Sequence, residues 1–252
     1  MRGDILNNKL LDKLFVKYKI HKIIHLAAMA GVQPSLISPT EYIDTDIKGT
    51  VNLLEKAKEY KIKQFIFASS SSVYGINKKI PFCEKDSTNL QISPYATAKK
   101  AAELYCQTYN YLYKIPIIIF RFFTVYGPRQ RPDMAIHKFA RLIQQNKPIQ
   151  MYGNGLSQRD YTYIDDITQG IIKSLNKNFN FEIFNLGNSK TIELKKLINL
   201  ISNKLKMKPI VEILSNQLGD VPITCADITK SKKMLGYKPR TPITKGIQKF
   251  IQ

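Results

Sequence analysis

Cysteine is scarce in this sequence. Cys83, Cys106 and Cys225 are the only three, widely spaced and odd in number. That argues against a metal cluster and suits a reducing compartment, so the expected location is the cytoplasm. Long apolar runs are missing too. The best, Ile115 to Phe120, is strand-sized, far short of the ~20 residues that span a bilayer, so no membrane partner is expected. Asp4, Asn7 and Asn8 interrupt any apolar stretch after Met1 that would read as a signal peptide. There is no internal repeat and no low-complexity linker. Acidic residues are few, with 19 Asp and Glu against 39 Lys and Arg, a net charge of +20. A field of that sign attracts nucleic acid, anionic lipid or a phosphorylated substrate. The lysines are nevertheless scattered, without a basic block, a zinc pattern or an RNA-binding aromatic signature. The expectation is a solvated basic surface with no specific nucleic-acid partner.

What is present is ordinary globular material, 44% hydrophobic over 252 residues, enough for one large domain or two small ones. Residues 22–28 ("KIIHLAA"), 64–69 ("QFIFAS") and 115–122 ("IPIIIFRF") are nearly continuous apolar runs, as in buried parallel strands. Between the first two, Ser38-Pro39 signals a helix start, and apolar residues recur through Val51, Leu54 and Ala57. Ser93-Pro94 repeats the signal before a helix running to about Tyr111, and residues 181–187 ("FEIFNLG") read as a further strand. Such alternation predicts an α/β fold with a parallel sheet. After Gly127 the pattern turns irregular, with Pro128, Pro132, Gly153 and Gly155 as punctuation, so a smaller second lobe is expected over 128–252. The first domain is expected over 1–127, with 160–187 returning to it.

The 64–69 strand runs into four serines, Ser69 to Ser72. Hydroxyls need partners when buried, so a row of them suits the lip of a cleft, and in a parallel sheet ligands bind beyond the carboxyl ends of the strands. The next helix opens "SPYATAKK", with Tyr95 and Lys99 at i, i+4 on one helical face. An ammonium beside a phenol favours the phenolate and brings it toward the working range of a general acid/base. With a serine from the strand end, the three make a device for moving the proton of an alcohol that becomes a ketone. The same spacing recurs at Tyr18/Lys22, which precedes the first apparent strand with no hydroxyl-bearing strand before it, and at Tyr74/Lys78, which straddles Gly75 in a loop; a Lys-rich chain generates it by chance.

The segments "HLAAMAGV", "SPTEYIDTDIKGTVNLLE", "FIFASSSSVYG", "SPYATAKKAAE", "RFFTVYGPRQRPDMA" and "YGNGLSQRDYTYIDDI" resemble, in that order, the extended short-chain dehydrogenases/reductases. Within them the likeness is to the NAD-dependent epimerase/dehydratase family, most of all the UDP-glucuronate 4-epimerases. It implies a Rossmann-like doubly wound sheet, NAD as cofactor and a UDP-sugar substrate epimerised at C4. Tyr95 would be the acid/base, Lys99 its activator and a cofactor ligand, and Ser70 the catalytic hydroxyl. The related dehydratases carry Asp-Glu after that hydroxyl. Here Ser71 and Ser72 follow it, with Ser71 expected at substrate and Ser69 and Ser72 on backbone groups. The resemblance further places Asp4, Ile5, Leu26, Ala27, Ala28, Asp46, Ser69 and Phe122 at the cofactor. It places Arg159 at the UDP pyrophosphate, Thr124 and Arg131 near the sugar carboxylate, and Asp220 at the nucleotide ribose. His25 is expected to be structural.

Two departures stand out. The family opens with a strand, a Gly-rich turn and a helix, and this sequence holds no G-x-G-x-x-G or G-x-x-G-x-x-G. Its start resembles the segment after the family's third strand. On that basis a truncated chain of little or no activity is expected, with a nucleotide-sugar-binding remnant that has lost NAD as the alternative. The 22–28 strand would then be a bare sheet edge, which makes a homodimer a candidate assembly. The second departure is Asp46, where the family usually carries Asn.

Overall fold

The computed structural model describes residues 2–215 and 217–252. It resolves into two compact units: Met1–Lys78, Glu84–Phe122 and Ser174–Asn185 in the first, and Lys79–Cys83, Phe123–Lys173 and Leu186–Gln252 in the second.

The first unit is built on a sheet of β1 (Lys22–His25), β2 (Gln64–Ser70), β3 (Ile117–Phe122) and β7 (Phe181–Leu186, of which Leu186 falls in the second unit), in the order β1-β2-β3-β7. The β1/β2 and β2/β3 pairs are parallel, as the three apolar runs predict. Phe65, Ile66 and Phe67 are each no more than 1% exposed, so β2 is covered on both faces and its sequence cannot alternate. One face packs Phe65, Phe67, Ile117 and Ile119 against α1 (Asn8–Lys17), α4 (Gly49–Glu59) and α5 (Pro94–Tyr113), through Leu11, Leu54, Ala57, Ala102 and Cys106. Each such side chain contributes about 1.5–3 kcal/mol. Two short helices, α2 (Val32–Ile37) and α3 (Pro39–Tyr42), and a π-helical turn, Ile43–Lys48, lead into α4. α5 starts where Ser93-Pro94 predicts, with Ser93 Oγ accepting the Ala96 amide at 3.2 Å. At Ser38 the cap is different: its side chain makes no capping bond. β1 is an edge of the sheet, and Ile24 on it is 41% exposed.

The second unit holds β4 (Thr124–Tyr126), β6 (Gln158–Tyr163), β8 (Thr191–Glu193) and β10 (Ile223–Thr224), with β6 parallel to β4 and β10 and antiparallel to β8. β5 (Ile149–Tyr152) and β9 (Val211–Leu214) form a separate parallel pair. Its core gathers Tyr126, Ile136, Phe139, Met151, Tyr163, Leu197, Ile201 and Ile247. The division differs from the 1–127 and 160–187 boundaries that the sequence suggests. β4 pairs with β6 rather than extending β3, which draws residues from Phe123 and the stretch up to Lys173 into the second unit. Lys79–Cys83 joins it because Phe82 bridges Ala226, its amide donating to Cys225 O at 2.8 Å.

Candidate active site

In the first unit the chemistry-bearing residues collect at the carboxyl end of β2 and the first turns of α5. Lys99, Ala102 and Cys106 lie on the stripe of α5 that faces the sheet, so Lys99 is carried inward and is 4% exposed. Its Nζ sits 5.3 Å from the centre of the Phe67 ring and 6.0 Å from that of Tyr95. Tyr95 is half-buried one turn earlier, its ring edge-on to Tyr42 at 6.1 Å, and Tyr42 Oη donates to Gly31 O at 3.1 Å. Burial pulls the Lys99 ammonium below its ordinary pKa, and Asp46 opposes that pull. The Asp46 carboxyl is driven up by burial, countered by Lys99 and by the Met29 amide, which donates to Oδ1 at 2.6 Å.

The four serines diverge. Ser69 Oγ donates to Glu103 Oε1 at 2.6 Å, so its hydroxyl goes to a carboxylate rather than to the backbone group the sequence suggests. Ser70 Oγ accepts the Ser72 amide at 3.1 Å, capping the 3-10 turn Ser71–Tyr74, and donates to Ser72 Oγ at 3.2 Å. Ser71 is half-buried. The turn ends at Gly75, whose φ of +55° and close approach to the Leu90 carbonyl leave no room for a Cβ.

Behind the serines lies an ion pair that sequence reasoning did not single out. Arg121 donates to Glu103 through Nε at 2.9 Å and Nη2 at 2.8 Å, both side chains 2% exposed. Burial raises the Glu103 carboxyl, but Arg121 and Ser69 outweigh it and hold its pKa below the usual range. The available signal was Glu103's place one turn beyond Lys99, and Arg121's interruption of an otherwise apolar strand.

Of the other residues the sequence nominates, Asp4 and Ile5 precede α1. Asp4 Oδ1 accepts the Leu6 amide at 2.9 Å, and Ile5 O accepts Asn52 Nδ2 at 3.0 Å. Leu26, Ala27 and Ala28 follow β1, Leu26 58% exposed. Phe122 ends β3 and is half-buried. His25 is buried against Thr50, Nε2 to Oγ1 2.9 Å, and burial with the nearby Lys99 lowers its pKa to about 3, so it is a neutral structural residue.

In the second unit, β4 lies beside β6 with Thr124 opposite Tyr161, two residues from Arg159. Arg159 donates to Asp220 Oδ1 at 2.5 Å and to Gln158 O at 2.8 Å. Arg131 is exposed and forks onto Asp133 at 3.0 and 2.7 Å. Arg159 and Asp220 are thus brought together, while Arg131 is held in a surface pair of its own.

Against this geometry, the GDP-mannose 4,6 dehydratase family model matches residues 1–250. An uncharacterized Methanocaldococcus jannaschii protein is 47% identical over 232 residues, 92% of this chain and 71% of that protein. A UDP-glucuronate 4-epimerase of Thermodesulfobacterium geofontis is 43% identical over 249 residues, 98% of this chain and 76% of the relative. Among solved structures, the UDP-glucuronic acid 4-epimerase from Bacillus cereus, in complex with UDP-glucuronic acid and NAD, has a TM-score of 0.90 and 35% identity. That match covers 98% of this chain and 78% of the Bacillus chain.

Proposed function

This chain belongs to the NAD-dependent epimerase/dehydratase family, and from that membership we propose that it interconverts UDP-glucuronate and UDP-galacturonate by oxidation, rotation and reduction at C4 of the sugar. The observation that carries the reading is a buried ammonium, Lys99, under a half-buried Tyr95 at the start of α5, which packs on a strand ending in Ser70. A lysine is taken out of water only where its charge is used or paired.

The cofactor is NAD, which when bound would supply the hydride acceptor and donor for C4 of the sugar. The residues present fit its nicotinamide-ribose end. Leu26 and Ala27 are exposed beyond β1, Ala28 adds only a methyl, and Lys99 and Tyr95 supply donors for ribose hydroxyls. Tyr95 as phenolate takes the proton of the sugar O4, favoured by the Lys99 charge. Ser70 hydrogen-bonds the same oxygen, and Tyr95 returns the proton when the ketone is reduced. The matching family model bears a dehydratase's name, but no carboxylic acid follows Ser70 to expel a hydroxyl as water: Ser71 and Ser72 stand there. In the second unit, Arg159 is assigned to the UDP pyrophosphate, whose oxygens suit a guanidinium fork, and Asp220 to the ribose. Thr124 and Arg131 are assigned to the sugar carboxylate.

The test is a chimera in which the N-terminal βαβ segment of the Thermodesulfobacterium geofontis relative precedes this chain. It is expected to convert UDP-glucuronate to UDP-galacturonate with no net nicotinamide reduction. Tyr95→Phe in it should lose roughly two or more orders of magnitude in rate. A Tyr95→Phe chimera at near-full rate, or a 4-keto-6-deoxy or decarboxylated product, overturns the assignment.

A further inference from the structure

The π-helical turn Ile43–Lys48 places one carboxylate where an apolar core would be expected. Asp46 is 1% exposed, and its Oδ2 lies 3.5 Å from Lys99 Nζ, the two side chains 0% and 5% exposed. Oδ2 makes no hydrogen bond. Oδ1 is committed to the Met29 amide, so the carboxylate cannot swing away without breaking that bond, and the Asp46 backbone carbonyl, accepting Thr50 Oγ1 at 2.5 Å, ties down the turn that carries it.

The other titratable groups around Lys99 do not compete for it. With its own proton donated to Asp46 O, the Thr50 hydroxyl takes the Nε2 proton of His25, which fixes that neutral tautomer and leaves Nδ1 unprotonated. Cys106, two turns along α5, is fully buried, and burial raises its pKa, so it remains a thiol. Glu103 is held by Arg121 and Ser69. Phe67 and Tyr95 offer it ring faces. Among the described residues, Asp46 is therefore the one anion facing the ammonium.

We propose that Asp46 is a positioning residue, which through Oδ2 anchors the Lys99 ammonium and keeps it charged at the place from which it serves Tyr95. This rests on the epimerase reading only for what the ammonium is for. The anchoring is a property of the chain, and its test uses neither cofactor nor substrate. A carboxylate at 3.5 Å in a site closed to water favours the ammonium strongly, whereas an amide of the same shape supplies a dipole and no charge.

The experiment is a pH titration of the chain carrying [13Cε]lysine, with the Lys99 signal identified by its loss in Lys99→Arg. Asp46→Asn is nearly isosteric and keeps an acceptor for Met29. It is expected to lower the Lys99 midpoint by more than one pH unit, a more than tenfold loss of ammonium affinity for its proton. The reciprocal variant guards against a fold that does not tolerate Asp46→Asn. In Lys99→Met, the [13Cγ]aspartate signal of Asp46 should titrate at a higher pH than in the parent chain. In the chimera, Asp46→Asn should move the alkaline and acid limbs of the rate profile rather than scale the rate uniformly. An unchanged Lys99 midpoint in folded Asp46→Asn, or an unchanged Asp46 midpoint in Lys99→Met, overturns the proposal. An inactive chimera with both midpoints shifted would instead count against the epimerase reading.

Discussion

Arg159 and Asp220, assigned from sequence to two parts of one nucleotide, are bonded to each other at 2.5 Å, with side chains 18% and 47% exposed. So exposed a pair contributes only about 0.2–1 kcal/mol, less than the ~1.5–3 kcal/mol of a hydrogen bond to a charged group such as pyrophosphate. A nucleotide should therefore draw Arg159 off Asp220. Calorimetry with UDP is expected to show Arg159→Ala binding roughly tenfold or more weaker than the parent chain, with Arg159→Lys failing to restore it. Asp220→Asn should cost less. Equal affinity in parent and Arg159→Ala removes Arg159 from the site.

His25 makes a pH prediction. Its folded pKa, about 3, lies below the ordinary 6.5, so the imidazolium is accommodated only by the unfolded chain. Stability is complete above pH 6.5 and falls as the pH drops toward 3, by up to about 1.4 kcal/mol per pH unit. Glu103, with an ordinary pKa of 4.5 and a folded value below it, adds its own loss only beneath 4.5. Urea titrations between pH 6.5 and 4.5 should therefore show the parent weakening more steeply than His25→Asn. Parallel curves would exclude His25 as the cause.

The Glu103–Arg121 pair predicts an asymmetry between single and double changes. Glu103→Ala leaves a guanidinium buried without its partner and is expected to cost about 3–5 kcal/mol. Glu103→Leu combined with Arg121→Met removes both charges and should be far better tolerated. Thermal melts compare them; a double variant as unstable as the single one would show that the pair contributes more than its own desolvation cost.

The scattered basic charge predicts weak, sequence-independent association with nucleic acid that disappears as salt is raised. Filter binding at several ionic strengths checks this. Nanomolar affinity for one defined sequence at physiological salt would be incompatible with it.

The sheet was legible because Phe65-Ile66-Phe67 and Ile117 to Phe120 are apolar on both faces, a pattern that only a covered strand tolerates. Tyr95 and Lys99 were legible because a helix start follows a serine-ended strand. The unit boundaries were not, since they depend on β4 choosing β6 over β3, a pairing between residues far apart in sequence with no local signal. Nor was the partner of Asp46. The π-helical turn that aims its side chain at Lys99 carries no residue pattern distinguishing it from ordinary helix.

Four identical side chains in a row invite the assumption that any one could stand in for another. Ser69 to Ser72 hold four separate positions: one bound to a buried carboxylate, one capping a turn, one half-buried beyond the strand, one giving its amide to the cap. A serine-to-alanine scan along them should read as four unrelated experiments: core stability at Ser69, turn geometry together with the reaction at Ser70, ligand contact at Ser71 and near-silence at Ser72. The tract is low in complexity only on paper: its information lies in the order of the positions, which no count of residue types records.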